Sequence, residues 1–235
     1  MSIEEHILAF SAANSGFPDQ RPLSIESLDD RSRIMTADPD ELISAAKREG
    51  EEALGRLLEF YRNYLHLLAR LEVGGQLQRK LDASDLVQET FLDAHRNFVT
   101  FEGTTEPQFV AWLRRILANN AANVARHYLG VKGRDIRLEQ NLTESFEQSA
   151  NRLAQLSAIS ATSPSQHAMR REQSVVLADA LMQLPVDYRE AIVLRHWEGL
   201  TFPQIAERMN RSLDSVEKLW MRALVRLRSL VGEQT

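Results

Sequence analysis

Hydrophobic side chains recur every three or four residues along most of the chain. One such stripe is formed by Ala53, Leu57, Tyr61, Tyr64 and Leu68, and no long alternation of Val, Ile and Thr is present. Spacings of three and four place side chains on one face of a helix, whereas a strand repeats every second residue. The pattern predicts an all-α protein with two small helical domains joined by a flexible linker.

Helix-start and helix-stop residues organise the first half of the chain. Asp38 and Asp82 stand at N-cap positions, and Gly50 interrupts a helix that a second, longer helix follows. These signals predict a helical domain over residues 38–137. Residues 1–37 lack sustained helical periodicity, and we expect them to form a mobile extension.

The composition changes after residue 137. Residues 138–165 are rich in Gln, Asn, Ser, Thr and Ala and poor in bulky apolar side chains, which is typical of a linker with partial helicity. Leu177, Leu181 and Leu184 then restore the helical spacing. We therefore predict a second domain over residues 166–235.

A pair of helices near the C-terminus is the clearest local motif. Thr201 and Gln204 have the spacing of a capping box, and Ser212 can cap the helix that follows. Asn210 lies between them, where a tight turn requires a residue that tolerates a left-handed backbone. This order of caps and turn predicts a helix-turn-helix.

The last predicted helix has two different faces. Its packing face contains Val216, Trp220, Ala223, Leu224, Leu227 and Leu230. Its exposed face contains Ser215, Lys218, Arg222 and Arg226, spaced three, four and four residues apart. Such a face suits the major groove of DNA, where side chains meet base edges and phosphates. The alternative is a structural helical hairpin whose basic face is only hydrated.

Charge is unevenly distributed. The net charge is -5, and residues 1–61 carry 13 acidic against 6 basic residues, which argues against indiscriminate coating of nucleic acid. Residues 112–137 carry six basic and one acidic residue, and residues 205–230 carry six basic and three acidic ones. Two local basic segments therefore remain as candidates for DNA contact, although a hydrated helix face explains any single charge cluster as well.

Three stretches resemble one family. They are Asp85-Leu86-Val87-Gln88-Glu89-Thr90-Phe91, then Phe109 to Asn120, and finally Leu184-Pro185 and Arg189-Glu190 followed by Glu198-Gly199-Leu200-Thr201 and Ile205-Ala206. In this order and spacing they resemble the sigma factors of bacterial RNA polymerase, in particular the extracytoplasmic-function (ECF) group. The resemblance extends from residue 38 to residue 231.

The resemblance implies a function and a set of site residues. The protein would bind core RNA polymerase and direct it to promoters. Asp85, Gln88 and Glu89 would face the polymerase. The residues that would face the -10 element of promoter DNA are Arg115, Asn119, Asn123 and Arg126, and the basic face with Ser215, Lys218, Arg222 and Arg226 would read the -35 element. The loop from Thr100 to Glu106, with the Phe101 ring, resembles the one that captures an unstacked -10 base.

Other functional classes find little support. The chain has no cysteine, its six histidines are scattered without a metal-ligand pair, and no Gly-rich phosphate loop is present. We expect no enzymatic activity, no metal and no cofactor. No signal peptide or membrane-spanning run is recognisable, so we expect a cytoplasmic protein. The family further implies an anti-sigma factor as a possible partner.

Two alternatives differ from a sigma factor in class. The first is a free-standing helix-turn-helix regulator whose helical N-terminal domain senses a ligand or dimerises. The second is a protein-interaction module that holds a polymerase or an anti-sigma partner without using DNA. The regulator would bind DNA specifically by itself, whereas a sigma factor would bind poorly until core polymerase positions both of its domains.

Overall fold

The computed structural model describes residues 38–72, 82–129, 136–160 and 173–233. Within these ranges the chain forms ten α-helices and a short 3-10 turn at Phe98–Thr100, and no strand, which confirms the all-α prediction. The helices are α1 Pro39–Glu49, α2 Glu51–Phe60, α3 Arg62–Glu72, α4 Ala83–Asn97, α5 Glu106–Leu129, α6 Ile136–Ser160, α7 Gln173–Gln183, α8 Val186–His196, α9 Phe202–Arg208 and α10 Leu213–Glu233. The predicted extension at 1–37 lies outside the described residues.

The predicted caps of the first domain form. Asp38 accepts a hydrogen bond from the Asp40 N–H at 3.1 Å, and Asp82 accepts one from the Ser84 N–H at 2.8 Å. Gly50 separates α1 from α2 with a φ of 88°, a left-handed conformation that favours glycine. The caps therefore start α1 and α4 where the sequence predicted them.

The sequence predicts one long helix after Gly50, but the structure divides it into two helices, α2 and α3. Tyr61 takes φ -94° and ψ 3°, and its N–H donates to the Leu58 carbonyl at 3.0 Å, so that α2 ends and α3 begins on either side of it. Its hydroxyl donates to the buried Glu106 carboxylate at 3.1 Å. The apolar stripe itself is confirmed, because all five of its residues are buried. Spacing alone does not reveal such a break, because a single residue whose φ and ψ are close to helical values leaves the apolar side chains on one face.

An aromatic cluster joins the end of α4 to the start of α5. The rings of Phe98, Phe101, Phe109 and Trp112 lie with centroids 5.0–6.3 Å apart. Gly103 closes the cluster, because a Cβ at this position would lie 2.4 Å from the Phe101 ring. Any side chain at position 103 would therefore force the Phe101 ring to shift.

Helices α6 and α7 connect the two halves of the protein. Helix α6 packs on α5 and α3, and α7 packs on α3, α6 and α10. Most of the circumference of α7 is apolar and enclosed, because Val175, Leu177, Ala178, Ala180 and Leu181 are all 0% exposed. Asp179 is a buried charged residue on the same helix. The partial helicity predicted for the linker is confirmed by α6, which is moreover packed against the rest of the chain.

The C-terminal helices surround two apolar clusters. A small cluster of Leu194, Ile205, Ala206 and Val216 holds α8, α9 and the start of α10 together. Further along α10, residues Ala223, Leu227 and Leu230 join the main core with α7. The long helix α10 is thus anchored at both ends, and its outer face is held in a defined orientation.

We predict opposite effects of two glycine-to-alanine substitutions. Gly103→Ala should lower the free energy of unfolding by about 1–3 kcal/mol, because the new Cβ overlaps a ring that is itself enclosed. Gly55→Ala, at an open position inside α2, should raise it by about 0.5–1 kcal/mol through helix propensity. Urea denaturation followed by circular dichroism measures both, and a stabilised Gly103→Ala variant would contradict the packing described for the loop.

Candidate nucleic-acid interface

The helix-turn-helix forms as its sequence predicts. The Gln204 side-chain oxygen accepts hydrogen bonds from the Thr201 N–H at 2.9 Å and from the Thr201 hydroxyl at 2.8 Å. Asn210 takes a φ of 51°, and the Ser215 N–H donates to the Ser212 hydroxyl at 3.3 Å. These bonds set the start of α9 and the start of α10, and therefore the angle at which α10 leaves the turn.

Charged side chains brace the helix-turn-helix from behind. Arg195 donates to the Leu200 carbonyl at 2.8 Å and lies over the Phe202 ring at 4.8 Å. Arg208 lies 3.9 Å from the Glu198 carboxylate, and Arg211 pairs with Asp187. Burial raises the pKa of Glu198, an effect that Arg208 opposes. The basic residues of this region thus form two groups. Arg195, Arg208 and Arg211 hold the helix-turn-helix to the neighbouring helix and loop, and the others lie on the exposed face of α10.

All four residues predicted to read DNA on α10 lie on its outer side. Lys218, Arg222 and Arg226 are exposed and Ser215 is half-buried. Lys218 pairs with Asp214 at 2.8 Å, and Arg226 lies 3.9 Å from Glu233. Because both pairs are exposed to solvent, they are weak and can exchange for contacts with phosphate.

Leu219 belongs to the packing face of α10. Leu219 is only 8% exposed and lies against the interior. The position therefore contributes to the stability of the helix-turn-helix rather than to its outer charge.

The predicted -10 residues follow one side of α5. Arg115, Asn119 and Asn123 are exposed at intervals of four residues, so the helix presents them as one row. Arg126 differs, because its side chain is only 18% exposed and pairs with Glu139 of α6 at 3.1 Å. It also donates to Asn123. The structure brings all four residues to one side and covers the last of them.

The three predicted polymerase-facing residues share the outer side of α4. Asp85, Gln88 and Glu89 are exposed, while the neighbouring Leu86, Val87 and Thr90 are buried. Arg96 is 4.0 Å from Glu89 and 3.1 Å from Asp93. The surface is therefore an exposed polar patch on a helix whose other face is fixed in the core.

One residue of the predicted base-capturing loop is not presented to a ligand. Phe101 is 8% exposed, because its ring is enclosed by Phe98, Phe109 and Trp112 and covered by the Lys47 ammonium at 5.1 Å. The prediction of Phe101 as a base-stacking ring is therefore wrong for this structure. The outer surface of the loop consists instead of Val99, Thr100, Glu102 and Thr104.

The burial of Arg189, next to Arg70, was not predicted from the sequence. Arg189 is 7% exposed and donates to the carbonyls of Met182 and Leu184 at 3.0 and 3.1 Å, which closes the end of α7. Burial, with the nearby Arg70, lowers the pKa of Arg189 to about 10. The resemblance had marked Arg189 without a role, and only tertiary contacts show that it is structural.

His66 lies beside these two arginines. Burial lowers the pKa of His66 to about 4, and the charges of Arg70, Arg189 and Arg62 add to that shift while Asp82 opposes it. The imidazole lies 3.4 Å from the Ser84 hydroxyl at the start of α4. The neutral imidazole is therefore part of the folded structure near neutral pH.

Two family profiles match this chain in the same order as its two helical halves. The profile described as Sigma-70 region 2 matches residues 57–129, and the profile described as Sigma-70, region 4 matches residues 174–227. The first match contains the exposed rows of α4 and α5, and the second contains the helix-turn-helix up to Leu227. The predicted sites thus fall within the two recognised regions.

Curated relatives agree with these matches. The ECF RNA polymerase sigma-E factor of Haemophilus influenzae is 31% identical over 185 residues, which cover 77% of this chain and 89% of the relative. The RNA polymerase sigma factor CarQ of Myxococcus xanthus is 32% identical, with 71% of this chain and 81% of the relative covered. The ECF RNA polymerase sigma factor BldN of Streptomyces coelicolor is 30% identical, with 87% and 68% covered.

The chain belongs to the sigma-70 family of sigma factors, in its ECF group. Its function is to direct promoter-specific initiation of transcription, and the free-standing regulator is not favoured. Among the described residues, no cluster of three or more acidic or histidine side chains could hold a metal ion, and no helix has the length and apolar character needed to cross a membrane.

We predict that His66 makes the protein sensitive to acid. In the unfolded chain this imidazole takes up a proton near pH 6.5, but in the folded protein only near pH 4. The unfolded state therefore binds more protons between these values, and stability falls as pH drops through this window. Between about pH 7.5 and about pH 5, the free energy of unfolding of His66→Gln should therefore fall by about 2 kcal/mol less than that of the wild type.

Urea denaturation at both pH values measures the difference. The exposed His95 of α4 supplies the control, since His95→Gln should retain the acid sensitivity of the wild type. Equal acid losses in the wild type and His66→Gln would show that the buried imidazole does not contribute.

Proposed function

We propose that this sigma factor acts through three separate surfaces, each on one helix. The outer side of α4 binds core RNA polymerase, one row on α5 contacts the -10 element, and the outer side of α10 reads the -35 element. The observation that carries the proposal is that these side chains, apart from the partly covered Arg126 and Ser215, are exposed on helices whose opposite faces are buried. A rigid scaffold with exposed polar rows is what specific recognition requires.

The polymerase surface is proposed to act through charge and register. Asp85 and Glu89 supply two carboxylates, and Gln88 between them can donate and accept hydrogen bonds. Complementary charge across an interface accelerates encounter and fixes orientation more than it adds affinity. We therefore assign these residues to a basic surface on the core enzyme.

On each promoter surface, we propose that some residues contact bases and that others contact phosphates. On α5, Asn119 and Asn123 can hydrogen-bond base edges, and Arg115 and Arg126 can contact phosphates. On α10, Ser215 and Lys218 lie in the first two turns of the helix, the part that enters the major groove in a helix-turn-helix. Arg222 and Arg226 lie further along, beside the DNA backbone.

The proposal extends to the organisation of the chain. Residues 38–137 and 166–235 are assigned to the two recognition domains and residues 138–165 to the linker between them. The protein is proposed to work in the cytoplasm by binding alone, without a catalytic site. Family membership adds an anti-sigma protein as a further expected partner.

We predict that substitution of the exposed residues on α4 weakens the binding of core polymerase without unfolding the protein. A triple variant, Asp85→Ala, Gln88→Ala and Glu89→Ala, should lower affinity for sigma-free core polymerase by about tenfold, because the complementary charges are lost. Titration of fluorescently labelled protein with core enzyme measures the affinity.

The control removes two carboxylates elsewhere, with Glu41→Ala and Glu51→Ala at exposed positions of α1 and α2. It should bind like the wild type. Unchanged affinity in the triple variant, or an equal loss in the control, would remove the polymerase-binding role from α4.

We predict a salt signature for the -35 surface. In holoenzyme, Arg222→Ala with Arg226→Ala should reduce the slope of log affinity against log salt by about 1.8, because each lost phosphate contact removes about 0.9. Promoter-dependent transcription should fall at least about tenfold at physiological salt. Arg228→Ala, on the other side of α10, is the control and should retain both values. Full transcription by the double variant would contradict DNA reading by α10.

A further inference from the structure

The exposed row on α5 continues to the beginning of that helix. Ala111 and Gln108 precede Arg115 by four and seven residues, and both are exposed. Because these spacings keep side chains on one face of a helix, Gln108 lies at the head of the proposed -10 row. A DNA strand that follows the row toward the start of α5 therefore next meets the residues beside Gln108.

Gln108 connects this row to the loop between α4 and α5. Its side-chain oxygen accepts hydrogen bonds from the N–H groups of Thr104 and Thr105 at 2.9 and 3.3 Å. Thr100, Glu102 and Thr104 are exposed at the outer surface of the loop. Their hydroxyl and carboxylate oxygens can accept hydrogen bonds from the amino groups of a base. The loop therefore extends the -10 surface beyond the end of α5.

A side chain of α1 holds the middle of this loop. The Lys47 ammonium, in the last turn of α1, donates to the Gly103 carbonyl at 2.8 Å. The same ammonium lies 5.1 Å from the centre of the Phe101 ring. A hydrogen bond from a charged donor is about twice as strong as one between neutral groups. Lys47 therefore binds the loop to a helix that lies far away in the sequence.

A second bond from α1 holds the end of the loop. The Glu106 N–H donates to the carboxylate of Asp40, in the first turn of α1, at 2.7 Å. Seven residues separate Asp40 from Lys47, which places the two contacts about 10 Å apart at about 1.5 Å per residue. Helix α1 is itself fixed, because Ile43 and Ala46 are buried. Two separate contacts with a fixed helix determine both the position and the direction of the loop.

Recognition of a base depends more strongly on these contacts than folding does. Lys47 is exposed, and a single exposed contact contributes little to the free energy of unfolding. Hydrogen bonds to a ligand, in contrast, weaken steeply outside their narrow range of distance and angle. Recognition therefore requires groups that are held within about 0.5 Å of the productive position.

We propose that Lys47 and Asp40 are positioning residues for the -10 element. They hold the loop between α4 and α5 where Thr100, Glu102 and Thr104 contact a base of the strand that follows the α5 row. The match to Sigma-70 region 2 begins at residue 57, so α1 lies outside it. The proposal rests on the proposed function, since it assumes that the α5 row contacts the -10 element.

Binding of DNA with single missing bases tests the proposal. The probe is a fork DNA from a promoter that the wild-type holoenzyme transcribes, double-stranded at -35 and single-stranded at -10. An abasic sugar replaces each -10 base in turn, which removes the base contacts and keeps the phosphates. With Lys47→Met in the holoenzyme, the loss of affinity at one position should fall from about tenfold to about twofold. The losses at the other positions should stay as in the wild type.

Substitutions on α1 supply matched controls. Lys47→Arg should keep the wild-type pattern, because a guanidinium also donates to a carbonyl. Arg48→Met removes the same charge from the exposed neighbouring residue and should also keep the pattern. Asp40→Ala should act at the same position as Lys47→Met, whereas Asp40→Asn should retain the pattern because its amide oxygen still accepts a hydrogen bond.

A variant of α5 separates the two proposals. Asn119→Ala should remove the loss of affinity at a different -10 position and leave the position that depends on Lys47 unchanged. If Asn119→Ala acts in this way while Lys47→Met keeps the wild-type pattern, or lowers affinity equally for every probe, the positioning role is overturned and the α5 row stands. If neither variant alters the loss at any position, the -10 assignment of α5 is wrong, and the positioning role is overturned with it.

Discussion

Helix α7 is rich in apolar side chains that must be buried, and much of the arrangement of the other helices follows from this constraint. Most of its side chains are apolar, with Asp179 and Ser174 as buried polar exceptions, so burial is favourable on most sides, at about 25 cal/mol for each Å² of apolar surface. The C-terminal half covers only part of it through α10. Helices α3 and α6 cover the rest, and the two halves of the molecule meet as a result.

The polar contacts around α7 determine how this apolar contact is made. Apolar packing is non-directional and would permit several dockings. The bonds from Asn63 to Asp179 and from Ser145 and Ser149 to Glu72 each require one relative position of the helices. The same helices therefore provide both the driving force for the contact between the two halves and its specificity, and α6 takes part in both.

A sequence pattern predicts those features that depend on neighbouring residues. The caps at Asp38 and Asp82, the turn at Asn210 and the outer face of α10 formed as predicted, because each depends on side chains within a few residues. The break at Tyr61 and the enclosed ring of Phe101 were not predicted. The break at Tyr61 is accompanied by a hydrogen bond to the distant, buried Glu106. The ring of Phe101 is enclosed by Phe98, Phe109 and Trp112, and Lys47 of α1 covers it.

By itself the sequence determined the helical class, the helix-turn-helix and the residues that form each exposed row, since periodicity and capping act locally. The resemblance of its motifs further predicts that Arg126 contacts the -10 element, and the composition predicts a linker after residue 137. Only the tertiary structure decided that the linker helix packs on both halves and that Glu139 covers Arg126. The reason is that pairing across a helix junction depends on the relative position of whole helices, which no spacing along the chain encodes.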